Sequence, residues 1–218
     1  MGTPYGAIPA KESTTATTTP CAGIILAGGL NTRMKGRNKA FLSLSGLSFL
    51  DRIIATVTSC CDETLLVTRE PAHYAGRGIR IVTDILTVRS ALTGIHAGLV
   101  NMDSDYGVFV GCDTPLIKTG VIRTLIEAIA PDVDIIVPSS GAYFQPLCAV
   151  YAKRCAAVIE DQLERGDLKI ANLFARMTLK IIPYDDFRVS DERLVSFFNI
   201  NTEDDLQRAR AGDLPDIA

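Results

Sequence analysis

Two short stretches of this sequence combine residue types suited to holding a phosphate group. The first runs Leu26-Ala27-Gly28-Gly29 and continues Leu30-Asn31-Thr32-Arg33-Met34-Lys35-Gly36-Arg37-Asn38-Lys39. Glycines let backbone N–H groups approach a phosphate without side-chain obstruction. Arg33, Lys35, Arg37 and Lys39 then place four cations in one short loop. Arginine can grip phosphate oxygens through two parallel bonds, whereas lysine acts as a point charge. Paired glycines alone would describe any tight strand-to-helix turn; the basic run that follows favours a phosphate. The loop is neither a Walker A motif nor a dinucleotide fingerprint, because G-x-x-x-x-G-K-[ST] and G-x-G-x-x-G are both absent. The second stretch is Gly111-Cys112-Asp113-Thr114-Pro115, which follows the apolar Val108-Phe109-Val110. One carboxylate, completed by substrate phosphates and water, is an ordinary Mg²⁺ environment. The same Asp113 could instead cap a helix or close an Asx-turn; a cationic loop on the same edge of a sheet favours the metal.

Such an edge requires strands that deliver both stretches to one place. Apolar runs of strand length fall at 21–27, 64–68, 79–83, 106–111, 134–137, 146–151, 179–183 and 197–200. Helical spacing of apolar residues falls at 49–60, 91–102, 121–130, 152–163 and 203–210. Strands alternating with helices predict an α/β, three-layer Rossmann-like fold with a mostly parallel central sheet and helices on both faces. The continuous apolar run at 106–111 suits a strand covered on both sides. Ligands of such sheets bind beyond the carboxyl ends of the strands, where both stretches are expected.

Composition bounds the rest. The chain has 218 residues, 47% of them hydrophobic, enough for one domain with a substantial core. That domain is expected over residues 21–218, after a tail at 1–20 whose Ser/Thr-rich end has little to bury. A net charge of -3 gives no footprint for nucleic acid. Six cysteines include no C-x-x-C pair and only two histidines accompany them, which disfavours zinc and suits buried thiols in a reducing compartment. No apolar stretch approaches a membrane span, and the N-terminus lacks a signal-peptide core. A cytoplasmic protein with no membrane partner is expected.

Taken together, Leu26-Ala27-Gly28-Gly29 with Arg33-Met34 and Lys39, then Cys112-Asp113-Thr114-Pro115, then Phe198-Asn199-Ile200-Asn201-Thr202 with Asp205-Leu206 resemble the molybdenum cofactor guanylyltransferases. These belong to the Rossmann-like nucleotidyltransferase superfamily, and the resemblance runs from about residue 21 to about residue 210. It implies transfer of GMP from GTP to the phosphate of molybdopterin or molybdenum cofactor, with release of pyrophosphate and dependence on Mg²⁺. It further implies that Leu26, Ala27, Gly28 and Gly29 lie at the nucleotide and that Lys39 meets its phosphates. Asp84 would contact the nucleotide, and Asp113 would hold Mg²⁺ beside it. Arg33, Gly36, Gly94, Asn199 and Asn201 fall on the acceptor side, and Lys39, Arg33 and Asp113 form the catalytic set. Relatives with Ala-Ala-Gly after the first strand tend to use CTP; Ala27-Gly28-Gly29 favours GTP. Transient contact with molybdoenzyme maturation proteins fits the same activity.

The chain departs from the family at Lys35, where a glycine is usual, and at Ser90-Ala91-Leu92-Thr93-Gly94 in place of Gly-Pro-Leu-Ala-Gly. An asparagine usual near the end of the strand at 64–68 has no equivalent here. These changes bear on the acceptor. A cytidylyltransferase, a sugar-phosphate nucleotidyltransferase and a non-catalytic nucleotide-binding module are the alternatives.

Some segments read either way. Asn199 and Asn201 alternate with Ile200 and would project from one face of a strand, while Thr202 suits a helix cap. Gln145-Pro146-Leu147 reads as the start of a strand rather than an acceptor contact. Gly166-Asp167-Leu168-Lys169 could open a helix near the acceptor, with Lys169 on its phosphate, or form a solvated loop. His73 and His96 have no partner spacing and read as structural.

Overall fold

The computed structural model describes residues 19–28, 38–83, 86, 88–141 and 143–217. Its centre is a seven-stranded sheet. In chain order the strands are β1 (Cys21–Leu26), β4 (Glu63–Thr68), β5 (Arg80–Thr83), β6 (Tyr106–Gly111), β7 (Ile135–Ser139), β8 (Cys148–Ala152) and β9 (Leu179–Pro183). A separate hairpin is formed by β2 (Ser43–Leu44) and β3 (Leu47–Ser48). The sheet order is β5-β4-β1-β6-β8-β7-β9. Every neighbouring pair is parallel except those involving β8, which is antiparallel to both β6 and β7. All six residues of β6 are buried, and five of six in β1. That is why these strands read as unbroken apolar runs rather than as alternation.

Helices cover both faces. α1 (Phe49–Thr58) packs with α3 (Thr119–Glu127), and α2 (Ala91–Asn101) packs with α4 (Cys155–Glu164). Two glycines set how closely the layers approach. A Cβ on Gly23 would lie 2.1 Å from Val57 Cγ1 of α1. A Cβ on Gly98 of α2 would lie 2.6 Å from Ile24 Cγ2 and 2.7 Å from Phe109 Cε1. Gly23 and Ile24 are successive residues of β1 and point to opposite faces, so the two contacts mark the two helical layers.

Strand order reverses between β1 and β6, and Leu26 pairs with Gly111 at the end of both. The residues that follow, Ala27-Gly28 and Cys112-Asp113, therefore emerge side by side at the carboxyl edge. This is the switch point at which open α/β sheets bind ligands.

The structure corrects the strand expected at 197–200. Val195–Phe197 is a 3₁₀ turn, and the chain beyond it belongs to no sheet. Its partners are side chains instead. Phe198 and Ile200 join Leu42, Leu44, Phe49 and Leu206 in a second, smaller core. That core binds the hairpin β2/β3, the start of α1 and the start of α6 (Glu203–Ala211) into one unit. The hairpin went unpredicted; it turns at Ser45-Gly46, both at positive φ (52° and 86°), as a two-residue type I′ connection requires. Of the two readings of residues 166–169, the structure shows the helix start: a short α5 (Ile170–Phe174) follows Lys169. Thr202 caps α6 as anticipated, in a capping box with Asp205.

Asp191 anchors the turn that precedes this segment. Its side chain is fully buried, accepts the Ser196 N–H at 2.7 Å and lies 2.8 Å from Lys118 Nζ. Ser196 Oγ in turn accepts the Lys118 N–H at 3.0 Å. Burial alone would raise the Asp191 pKa, but the hydrogen bonds from Lys118 and Ser196 outweigh it and hold the carboxyl below its usual value. Asp191→Ala leaves the buried Ser196 N–H unpaired and should destabilise the protein by roughly 1–3 kcal/mol. The sign with pH follows from the lowered pKa. The Asp191 contribution is complete above the ordinary aspartate value and is lost as pH falls through the folded value. Chemical denaturation at pH 7 and at pH 3 should show the variant's deficit shrinking in acid. A deficit independent of pH would sink this account.

Candidate active site

The backbone leaving β1 is tied down on both flanks. Ala27 N donates to Val67 O of β4 at 2.9 Å, and Cys112 N donates to Leu26 O at 3.1 Å. The Ala27 carbonyl accepts the Tyr74 hydroxyl at 3.3 Å and the Thr68 hydroxyl at 3.4 Å. Gly28 is exposed at the sheet edge. Asn38 caps a 3₁₀ turn over Lys39–Phe41 by accepting the Ala40 N–H at 3.0 Å.

Lys39 leaves that turn and donates from Nζ to Asn201 Oδ1 at 2.5 Å, across 162 residues of sequence. The small second core explains the meeting. Phe198 and Ile200 point into it and pack with Leu42, just after the Lys39 turn. Asn199 and Asn201, at the alternate positions, are left partly exposed. The alternation expected of a strand thus survives without sheet pairing.

Asp113 lies just past β6. Thr114 donates to Gly111 O from both its N–H (3.2 Å) and its Oγ1 (2.9 Å), which closes the turn. Ile200 N donates to Asp113 O at 2.8 Å, so the two site segments are bonded to each other. α3 begins only at Thr119 with Lys118 at its cap, so Asp113 does not cap it. Its carboxylate is partly buried. Burial pushes its pKa above the usual aspartate value, and the positive charge of Lys39 opposes that rise. The neighbouring Cys112 thiol is pushed up to about 12, again by burial and by the Asp113 charge; it is not a thiolate at neutral pH.

Beside Asp113 lies a cavity of about 200 Å³, lined by Asp113, Thr114, Asn199 and the run Gln145-Pro146-Leu147-Cys148. Sequence reasoning took residues 145–147 for a strand start. In the structure Pro146 and Leu147 form a turn and β8 begins at Cys148. Leu147 O accepts the Gly111 N–H at 2.9 Å. Because β8 runs antiparallel to β6, its start rather than its end reaches the carboxyl edge. A search confined to residues after strands misses it.

The structure therefore gathers Leu26, Ala27, Gly28, Lys39, Asp113, Asn199 and Asn201 at one edge. Gly94 stands in the first turn of α2, where a Cβ would lie 3.4 Å from Leu26 Cδ2. Gly29, Arg33, Gly36 and Asp84 lie outside the described residues. Lys169 is exposed at the start of α5. His73 is exposed beside Glu70, and His96 is buried within α2.

Residues 23–180 match the family described as the MobA-like NTP transferase domain. The chain belongs to that family. It is a nucleotidyltransferase. A molybdenum cofactor guanylyltransferase of Desulfosudis oleivorans is 41% identical over 189 residues, spanning 87% of this chain and 94% of that one. A molybdenum cofactor guanylyltransferase of Aliivibrio fischeri is 30% identical, over 85% of this chain and 93% of its own. Among solved structures, molybdopterin-guanine dinucleotide biosynthesis protein A from Archaeoglobus fulgidus superposes with a TM-score of 0.79 at 28% identity, covering 88% of this chain and 98% of that one. The 4-diphosphocytidyl-2C-methyl-D-erythritol synthase of Anaerococcus prevotii shares the fold at a TM-score of 0.68 and 17% identity, over 89% and 96% of the two chains. Among the described residues, no helix is long and apolar enough to cross a membrane.

Proposed function

We propose that this chain transfers GMP from GTP to the phosphate of molybdopterin, releasing pyrophosphate and forming a guanine dinucleotide cofactor. The observation that carries the reading is the Lys39–Asn201 bond beside Asp113 and its cavity, at the switch point of the sheet. It joins the nucleotide-side cation to the segment assigned to the acceptor. The 41% identity to a named guanylyltransferase supports the same reading.

The acceptor is its own nucleophile. A phosphate monoester with a second pKa near 6 is largely a dianion at neutral pH, so no side chain need remove a proton. The difficulty is repulsion between two polyanions. Lys39 sets a positive charge where the phosphates of the nucleotide would lie, and Asn201 orients it. Asn199, Thr114 and Gln145 line the adjoining cavity with polar groups that can hold an acceptor. Two amides without charge let a pterin or phosphate in without adding to the local field.

The residues also fit Mg²⁺. Asp113 is a hard oxygen donor whose burial makes an uncompensated negative charge costly, and a dication relieves that cost. Among the described residues no group of three or more His, Cys, Asp or Glu could hold a metal, so substrate phosphates and water would complete the shell. When bound, the ion would neutralise charge on the phosphates and on the departing pyrophosphate. The setting we propose is the cytoplasm, in keeping with six unpaired cysteines. The product would pass on through transient contact with molybdoenzyme maturation proteins.

The test is pyrophosphate release with Mg²⁺ and each of GTP, CTP, ATP and UTP, with and without molybdopterin. Release with GTP, dependent on molybdopterin, is expected. Release with CTP instead would move the chain to a sister activity on the same machinery. Nucleotide binding without release from any pair would make it a non-catalytic module.

A further inference from the structure

Tyr74 takes no part in the chemistry described above, yet it touches both flanks of the glycine-rich segment. It lies in a 3₁₀ turn (Pro71–Tyr74) after β4 and is 1% exposed. Its hydroxyl accepts from Asn38 Nδ2 at 2.8 Å and donates to Ala27 O at 3.3 Å. The direction of this chain is fixed. Asn38 Oδ1 is engaged by the Ala40 N–H at 3.0 Å, so its Nδ2 must face Tyr74. A carbonyl can only accept, so the phenolic proton serves Ala27 O, with the Thr68 hydroxyl bonded to the same carbonyl beside it. One hydroxyl thereby links Ala27, on the nucleotide side of β1, to the residue next to Lys39. The ring is held independently of the hydroxyl. Phe41 stacks on it with centroids 5.2 Å apart, and the Arg77 guanidinium lies 5.4 Å from the Phe41 centroid. Arg77 is in turn paired with Asp51 of α1. A buried tyrosine needs one partner for its hydroxyl; besides the Thr68 hydroxyl of β4, this one engages Asn38 and Ala27, on the segments that flank the nucleotide site.

We propose that Tyr74 is a positioning residue for nucleotidyl transfer, its hydroxyl fixing the Lys39 turn relative to the end of β1. The inference rests on the transfer reading above. A cation aimed at developing charge loses most of its effect when displaced by about 1 Å, so the loss should fall on turnover more than on ground-state binding.

The test compares Tyr74→Phe, Asn38→Ser and the double variant. Phenylalanine keeps the stacked ring, and serine keeps the turn cap; each removes the Asn38–Tyr74 bond. Tyr74→Phe should lower kcat about tenfold or more while changing KM for GTP less than threefold. Asn38→Ser should do the same. The double variant should be no worse than the poorer single one within about twofold, because both act through one chain of hydrogen bonds. Multiplying losses, a kcat within twofold of wild type in either single variant, or a loss confined to KM would overturn the proposal. If Tyr74→Phe does not fold, the kcat–KM split in Asn38→Ser decides. Wild-type protein inactive with every nucleotide would instead refute the transfer reading. That outcome removes the positioning role as well, and it differs from an active wild type whose variants keep their kcat, which overturns the positioning role alone.

Discussion

Asp113→Asn is expected to abolish transfer, by at least about a thousandfold or roughly 4 kcal/mol of transition-state stabilisation, without unfolding the protein. Asparagine keeps the shape of the side chain and its place after β6 but removes the charge proposed to hold Mg²⁺. Stability should move the other way. Burial raises the Asp113 pKa above its usual value, so the folded protein holds that proton more tightly than the unfolded chain. The resulting stability is present in acid and is lost as pH rises through the folded pKa. Asparagine carries no such penalty. The melting temperature of Asp113→Asn should equal or exceed that of wild type at pH 7, and the difference should vanish in acid. Turnover near wild type in Asp113→Asn or Asp113→Ala would remove Asp113 from the metal role. A large drop in melting temperature would make its role structural.

Lys39→Ala should cost about a hundredfold or more in kcat, the scale of losing one preorganised electrostatic contact to a transition state. A loss below about tenfold, roughly 1.4 kcal/mol, would count against its role. A second, independent readout comes from its neighbour. Lys39 opposes the rise of the Asp113 pKa, so in the absence of Mg²⁺ removing it should widen the gain in melting temperature that Asp113→Asn gives at pH 7. An unchanged gain would mean that the two charges do not interact. Lys39→Arg should not restore full activity, since the 2.5 Å bond from Nζ to Asn201 is a single point contact that a planar fork does not reproduce.

Much of the fold was legible in local pattern. The run at 106–111 and that at 179–183 coincide with β6 and β9, and the helices at 49–60 and 91–102 match α1 and α2 to within two residues at either end. Burial imposes periodicity on a segment wherever it lies, so periodicity survives in the sequence. The expectation at 197–200 failed because two alternating apolar residues serve a strand and a packed irregular segment equally well. Strand pairing needs a partner edge, which no local pattern reports.

By itself, the sequence determined the layered parallel sheet, the basic glycine-rich segment and the carboxylate after a buried strand, together with the family they resemble. Each is a property of residues near one another in the chain. Only the tertiary structure decided which distant groups meet. The antiparallel run of β8 turns Gln145-Pro146-Leu147 toward Asp113. The second core sets Asn201 on Lys39, and Tyr74 stands between Asn38 and Ala27. These contacts depend on strand order, strand direction and the closing of long loops. Those are settled by the packing of the whole core, and no single segment records them.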